Sequence, residues 1–379
     1  METVLEIKEG LEGVVASTTR LSSVDGSAGV LLLAGFPVEE VAPRATFEEM
    51  TSLLWTGELP RTADLAALTR RLTTRRALAP ATLDLLRAAA ERRVDPMDAL
   101  RMAAGTLSLT PGAGSDPHED AATLVAAFPT IVAAYWRLLQ GLEPLTPREA
   151  LGHAASFLHL LSGEEPDPER VRGLETYLNT VSDHGFNAST FTARVIVSTR
   201  SDLISAITGA VGALKGPLHG GAPGPALDTV FEIGSADRAE EVLRAKLARG
   251  ERLMGFGHRV YRVRDPRADV LGAAAERFYH RAGDMTLYEL ARSVETTALR
   301  LLREHRPDRR LDTNVEFYTA LLLHGLGLPT ELFTPTFAIG RVAGWTAHAL
   351  EQLERGRLIR PQSEYVGERN RRWTPLEAR

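Results

Sequence analysis

Three short stretches of the chain each set a histidine beside glycine. They are Asp183-His184-Gly185-Phe186-Asn187, Lys215-Gly216-Pro217-Leu218-His219-Gly220-Gly221, and Gly255-Phe256-Gly257-His258. Glycine lets backbone come close to a ligand, because no Cβ stands in the way. An imidazole titrates near neutral pH and can give or take a proton. Four arginines, at 259, 262, 264 and 267, follow His258 within nine residues. Their planar forks suit carboxylates and phosphates. Taken singly, each stretch could also be a turn with a hydrogen-bonding histidine and a solvated basic run. Three of similar build point to a site.

An acidic group stands downstream in Asp312-Thr313-Asn314-Val315-Glu316-Phe317-Tyr318, and Arg341 and Arg360 follow later. Histidines with a carboxylate suit proton removal next to a carbonyl, a second imidazole steadying the enol or enolate. Scattered arginines suit a substrate with two carboxylates. Carbon–carbon chemistry on a dicarboxylate is the reaction class these residues fit. The chain has no phosphate loop of the Gly-x-x-x-x-Gly-Lys-Ser/Thr type, no His-Glu-x-x-His zinc helix and no Gly-x-Ser-x-Gly elbow.

The elements that must carry these residues read as mostly α. Thr46-Phe47-Glu48-Glu49 is a capping-box pattern. From there to about residue 350, Ala-, Leu-, Arg- and Glu-rich segments alternate with Pro, Gly and Asp punctuation. Leu151, Ala154, Ala155, Leu158 and Leu161 follow helical spacing. Before residue 38, Asp25-Gly26 between apolar runs predicts a short β-hairpin.

The 379 residues carry 44% hydrophobic side chains and a net charge of −5, giving no reason to expect nucleic acid as partner. No cysteine is present, so disulfides and thiolate chemistry are excluded, which fits a reducing cytoplasm. The N-terminus lacks the pattern of a secretory signal, and no run approaches 18 uninterrupted apolar residues, so neither export nor a membrane span is expected. Asn187-Ala188-Ser189 is formally a glycosylation sequon, and without export it reads as chance.

Gly-Pro-Leu-His219-Gly-Gly-Ala, Gly-Phe-Gly-His258-Arg-Val-Tyr, Asp-Pro-Arg267, Asn-Val-Glu316-Phe-Tyr and the tail Arg360-Pro, in this order, closely resemble the citrate synthases. The short bacterial and archaeal form, shared with 2-methylcitrate synthases, is the nearest likeness, and it spans nearly the whole chain. The resemblance implies that His219 hydrogen-bonds the acetyl-CoA carbonyl, that Glu316 removes its methyl proton and that His258 polarises the oxaloacetate carbonyl. It implies that His184, Arg267 and Arg341 hold the oxaloacetate carboxylates, with Arg360 reaching in from the partner of a homodimer. Gly255, Phe256, Gly257 and Arg262 would meet CoA. No metal or resident cofactor is implied, acetyl-CoA being a substrate. The fold implied is helical, with residues 1–220 and 328–379 in a large domain and 221–327 in a smaller one that closes over the cleft.

The chain departs from that pattern in three places. The base is normally aspartate, and the extra methylene of Glu316 moves the carboxylate by about 1–1.5 Å, where a misplacement of roughly 1 Å can slow a reaction about 100-fold. Asp312 is the rival base, or else a helix N-cap. Pro223 stands where asparagine is usual, which predicts a rebuilt helix entry. Asp95-Pro96-Met97 replaces a common His-Pro-Met. Citrate synthesis from oxaloacetate and acetyl-CoA is the leading expectation. The alternatives are 2-methylcitrate synthesis from propionyl-CoA and a non-catalytic paralogue that binds a dicarboxylate or CoA.

Overall fold

A computed structural model describes residues 8–220, 223–258 and 260–379. Gly221 and Ala222, which continue the His219 stretch and open the expected smaller domain, and Arg259 lie outside the described residues. The described residues hold sixteen α-helices, so the mostly-α expectation stands. Helices begin at Val38, earlier than the capping box marks. Both halves of that box form at Thr46: Glu49 N–H donates to Thr46 Oγ1, and Thr46 N–H donates to the Glu49 carboxylate.

The expected hairpin pairs Ser22–Asp25 with Val30–Leu33 in antiparallel register, Ser22 opposite Leu33. Asp25 accepts the Ser27 and Ala28 N–H groups at 2.9 and 2.8 Å, closing the turn. A third strand, Phe36–Pro37, was not signalled by any Asn-Gly or Asp-Gly pair. Its turn is Ala34-Gly35, both at positive φ, and Ala34 accepts that conformation because the sheet around it is packed.

Two long helices organise the core. Pro117–Leu139 is apolar on all sides and packs against helices Pro80–Glu91, Pro96–Thr106, His153–Ser162 and Phe333–Arg355. By length and hydropathy it could cross a membrane, but most of its apolar stretch is buried inside the protein, as the centre of a helical core requires. Asp95 caps helix Pro96–Thr106 by accepting Met97 N–H.

Phe333–Arg355 crosses Pro168–Val181 at very close range. A Cβ on Gly340 would stand 2.8 Å from the Leu178 carbonyl oxygen, and one on Gly344 would stand 2.2 Å from that of Ser182. Only glycine permits this approach, and it brings Arg341 Nε to the Val181 carbonyl at 2.5 Å. Helix Pro266–Ala282 packs on Val315–Gly325 and on Pro168–Val181. Helix Pro223–Ile233 starts on its proline, where the missing N–H would have had no helical partner.

Candidate active site

Residues 253–258 and 260–265 are irregular, and the first of these segments is pinned to the stretch ahead of helix Val315–Gly325. Phe256 bridges Thr313 in antiparallel fashion, Gly257 N–H donates to Asp312 O at 2.8 Å and Asn314 N–H donates to Gly255 O at 3.0 Å. Asn314 Nδ2 adds a 2.7 Å bond to Gly257 O. This pairing sets His258 and Glu316 on neighbouring strands of backbone. Gly255 and Gly257 both have positive φ, and a Cβ would reach 3.0 Å from Phe317 and Leu311 respectively. The glycines are needed for this internal contact, and the Gly257 N–H is already taken by Asp312, so it is not the free donor that the sequence suggested. Asp312 is not the N-cap either. Asn314 caps the helix by accepting Glu316 N–H at 3.0 Å, and its shorter reach to that N–H explains the choice.

His258 Nδ1 accepts the N–H groups of Val260 and Tyr261 at 3.0 and 3.1 Å. That places the ring proton on Nε2, and the 3.4 Å approach of Arg267 Nη2 to Nε2 is then a charge contact rather than a hydrogen bond. Burial, then the Arg267 charge, lowers the His258 pKa to about 4, so the ring is a neutral donor. His184 lies against it, ring centres 5.7 Å apart, with Nε2 at 3.1 Å from the Tyr261 hydroxyl. Burial, followed by Arg267 and Arg341, holds His184 neutral as well.

Arg267 is held by a bidentate ion pair with Asp265, at 3.0 and 2.7 Å. Asp265 caps helix Pro266–Ala282 and also accepts Val315 N–H at 3.3 Å, tying the arginine to the helix of Glu316. Arg341 is buried against Phe337, its guanidinium 4.5 Å from the ring centre. Burial, reinforced by Arg267, lowers its pKa to about 10. Glu316 is half-buried. Burial raises its pKa to about 7, with Arg267 pulling down and Asp265 pushing up.

His219 follows helix Leu203–Leu214, and its Nε2 lies 2.7 Å from Ser189 Oγ. The Ser189 N–H also points at Nε2, at 3.3 Å, which makes Nε2 the acceptor and leaves Nδ1–H as the donor for a ligand. Trp345 Nε1–H donates to the serine oxygen at 3.0 Å. Burial, then Arg341, lowers the His219 pKa to about 4.

Ser189, Tyr261, Asp265 and Asp183 were not singled out by sequence as site residues. Asp183 is fully buried and takes hydrogen bonds from Ser22 Oγ at 2.5 Å and from His348 Nε2 at 3.1 Å. Arg194 Nη1 donates to His348 Nδ1 at 3.0 Å, which fixes the His348 proton on Nε2, and to Glu351 at 2.7 Å. Glu295 on helix Thr286–His305 gathers Thr313, Arg264 and Tyr318 at 2.6–2.7 Å, so it fastens the stretch before Arg267 and the start of helix Val315–Gly325 to one helix. The N-terminal hairpin abuts the same loop: Arg262 N–H donates to Gly26 O at 2.7 Å, and a Cβ on Gly26 would stand 2.2 Å from Val260 O.

The structure thus gathers His184, His258, Arg267, Arg341 and Glu316 through contacts and shared fields, with His219 coupled through Arg341. Arg262 and Arg360 are exposed and stand outside that cluster. Among the described residues, no three His, Asp or Glu side chains come together as metal ligands.

Helices enclosing a neutral histidine pair, a raised carboxyl and buried arginines define a protein built for proton transfer on an anionic carbonyl compound. The comparisons with known proteins agree. The family profile described as "Citrate synthase, C-terminal domain" matches residues 10–362. The citrate synthase of Haloferax volcanii is 41% identical over 99% of this chain and 99% of its own. The 2-methylcitrate synthase of Mycobacterium tuberculosis is also 41% identical, over 97% of this chain and 92% of its own. Citrate synthase from Thermoplasma acidophilum, solved as a ternary complex with carboxymethyl coenzyme A and oxaloacetate, superposes with a TM-score of 0.89 at 31% identity, covering 98% of this chain and 99% of that one. The chain belongs to the citrate synthase family.

Proposed function

We propose that this protein condenses oxaloacetate with acetyl-CoA and water to give citrate and CoA. The observation that carries the reading is the backbone pairing of 255–257 with 312–314, which sets the segment of His258 against the start of the helix that carries Glu316. Glu316 takes a methyl proton from acetyl-CoA while His219 Nδ1–H hydrogen-bonds the thioester oxygen. The enolate carbon attacks the oxaloacetate carbonyl carbon, and His258 Nε2–H gives its proton to the oxygen that becomes the citrate hydroxyl, a proton restored by the water that next enters. Water then cleaves the citryl thioester and releases CoA. Both histidines act as neutral donors in a low-dielectric cleft, where such hydrogen bonds are strongest.

His184, Arg267 and Arg341 hold the oxaloacetate carboxylates. Gly255, Phe256, Gly257 and the exposed Arg262 lie along CoA. Arg360, exposed in the tail, completes the site of the other subunit in a homodimer. Residues 221–327 move as the smaller domain against 1–220 and 328–379, and closure excludes water from the enol. The reaction needs neither metal nor resident cofactor.

The likeness to a 2-methylcitrate synthase supports a second reading, with propionyl-CoA as donor. One methylene in a pocket separates two substrates by only about 10–200-fold, so both thioesters belong in the test. Purified protein with oxaloacetate is given acetyl-CoA or propionyl-CoA, and CoA release is followed with a thiol reagent; the cysteine-free chain adds no background. Rapid release with acetyl-CoA supports citrate synthesis, and a preference for propionyl-CoA supports the second reading. Release with neither thioester refutes both, and favours a non-catalytic dicarboxylate or CoA binder.

A further inference from the structure

One hydroxyl brackets His184. Ser22, at the start of strand Ser22–Asp25, donates from Oγ to the Asp183 carboxylate and accepts Gly185 N–H at 2.9 Å. These partners flank His184 on either side, so a single side chain staples the backbone that carries the imidazole. Gly185 has a positive φ there, and a Cβ on it would meet Val24 of the same strand at 3.8 Å. Asp183 gives the staple a fixed anchor. It is fully buried and bonded to His348 Nε2 at 3.1 Å. Helix Phe333–Arg355 packs so closely on it that a Cβ on Gly344 would stand 3.1 Å from its Oδ1.

The same strand reaches the second histidine. Just past its far end, Gly26 O accepts Arg262 N–H at 2.7 Å, in the segment whose Val260 and Tyr261 N–H groups fix His258 Nδ1. One extended strand thus joins the turn of His184 to that of His258. The two imidazoles end 5.7 Å apart, with His184 Nε2 3.1 Å from the Tyr261 hydroxyl. On the reading of the site given above, we propose that Ser22 is a positioning residue, which sets the His184 imidazole where it meets an oxaloacetate carboxylate. Ser22 itself touches no substrate. Without its hydroxyl, Gly185 N–H loses its partner and Asp183 one of its donors, and the turn between them shifts relative to His258.

Ser22→Ala removes the hydroxyl and Ser22→Thr keeps it, while Ser23→Ala alters the next, exposed position of the strand as a control. Oxaloacetate binding to the whole protein is measured by titration calorimetry. Steady-state rates are followed by loss of thioester absorbance, each substrate being varied in turn. For Ser22→Ala the expected result is an oxaloacetate Kd and KM raised roughly tenfold. Its kcat and acetyl-CoA KM should stay within about twofold of wild type, as when ground and transition state lose binding equally. Ser22→Thr should restore the affinity, and Ser23→Ala should leave it alone. Wild-type oxaloacetate affinity in Ser22→Ala overturns the assignment of Ser22 alone. A loss that Ser22→Thr fails to restore, or that Ser23→Ala shares, overturns it too, by showing that the strand matters and the hydroxyl does not. A Ser22→Ala protein already unfolded at the assay temperature overturns it by showing that the hydroxyl holds the fold. Failure of the wild type to bind oxaloacetate brings down this proposal together with the proposed function.

Discussion

Glu316 offers the sharpest test of the site, because its environment makes a prediction about pH as well as about rate. Its pKa is raised from 4.5 to about 7, chiefly by burial. A base works as the carboxylate, so activity should be lost as pH falls through about 7. The ionised fraction is then roughly one tenth at pH 6 and nine tenths at pH 8, so kcat/KM should climb about tenfold between them. The two histidines add no limb of their own there, since His219 and His258 both titrate near 4. Glu316→Gln keeps the size of the side chain and removes the base, which should lower kcat by about 100–10,000-fold and flatten the profile. Loss of thioester absorbance is the suitable assay, because a thiol reagent is itself pH-sensitive in this range. A wild-type profile that is flat from pH 6 to 8, or a Gln variant within tenfold of wild type, would falsify the assignment of Glu316 as base.

Other perturbations separate the supporting parts. Ser189→Ala removes the partner that holds His219 Nε2 at 2.7 Å, and a misplacement of about 1 Å should lower kcat by roughly 100-fold while oxaloacetate affinity, measured by calorimetry, stays the same. Asp265→Asn leaves Arg267 without its buried counter-charge, which should destabilise the fold by about 3–5 kcal/mol in denaturant titrations. The same change should move the acid limb of the pH profile downward, because Asp265 pushes the Glu316 pKa up. Glu175 is a carboxyl raised to about 7 by burial, outweighing Arg172. Its contribution to stability is present below its unfolded pKa of about 4.5 and lost as pH rises towards 7. Glu175→Gln should therefore raise Tm at pH 8 but not at pH 4, by the equivalent of up to roughly 3 kcal/mol, a net figure that already includes the Arg172 ion pair.

Local rules carried much of the fold. The capping box at Thr46 appears in the structure, because it depends on partners within three residues. The three histidine stretches and Asp-Pro-Arg267 were legible as motifs. What holds them was not. Asp183 meets His348 across 165 residues, and no periodicity encodes such a pairing. Ser189 was hidden inside a meaningless sequon, though an Asn two residues ahead of it is an N-cap signal that could have pointed to a helix start beside His184. Glu295 had no sequence signal at all, being one glutamate among many until the chain folds it under Thr313 and Tyr318. Asp312 misled because two plausible caps stand two residues apart, and geometry chose Asn314. The third strand was missed because an alanine takes the left-handed turn that glycine or asparagine usually marks.

The N-terminal strand has a consequence for how the chain reaches this state. Ser22 bonds Asp183 across 161 residues, and the Arg20 N–H bonds Glu351 across 331. Gly26 meets the backbone of Val260 and Arg262. Residues 20–26 therefore wait for partners that are made 161 to 331 residues later. The hairpin can close on itself locally, but its seat is made of residues near 183, 260 and 351. Pairings of such high sequence separation fold slowly, and they leave an apolar strand open to wrong neighbours meanwhile. The loop that carries His258 therefore gains its contact with Gly26 only when residues far apart in sequence have come together.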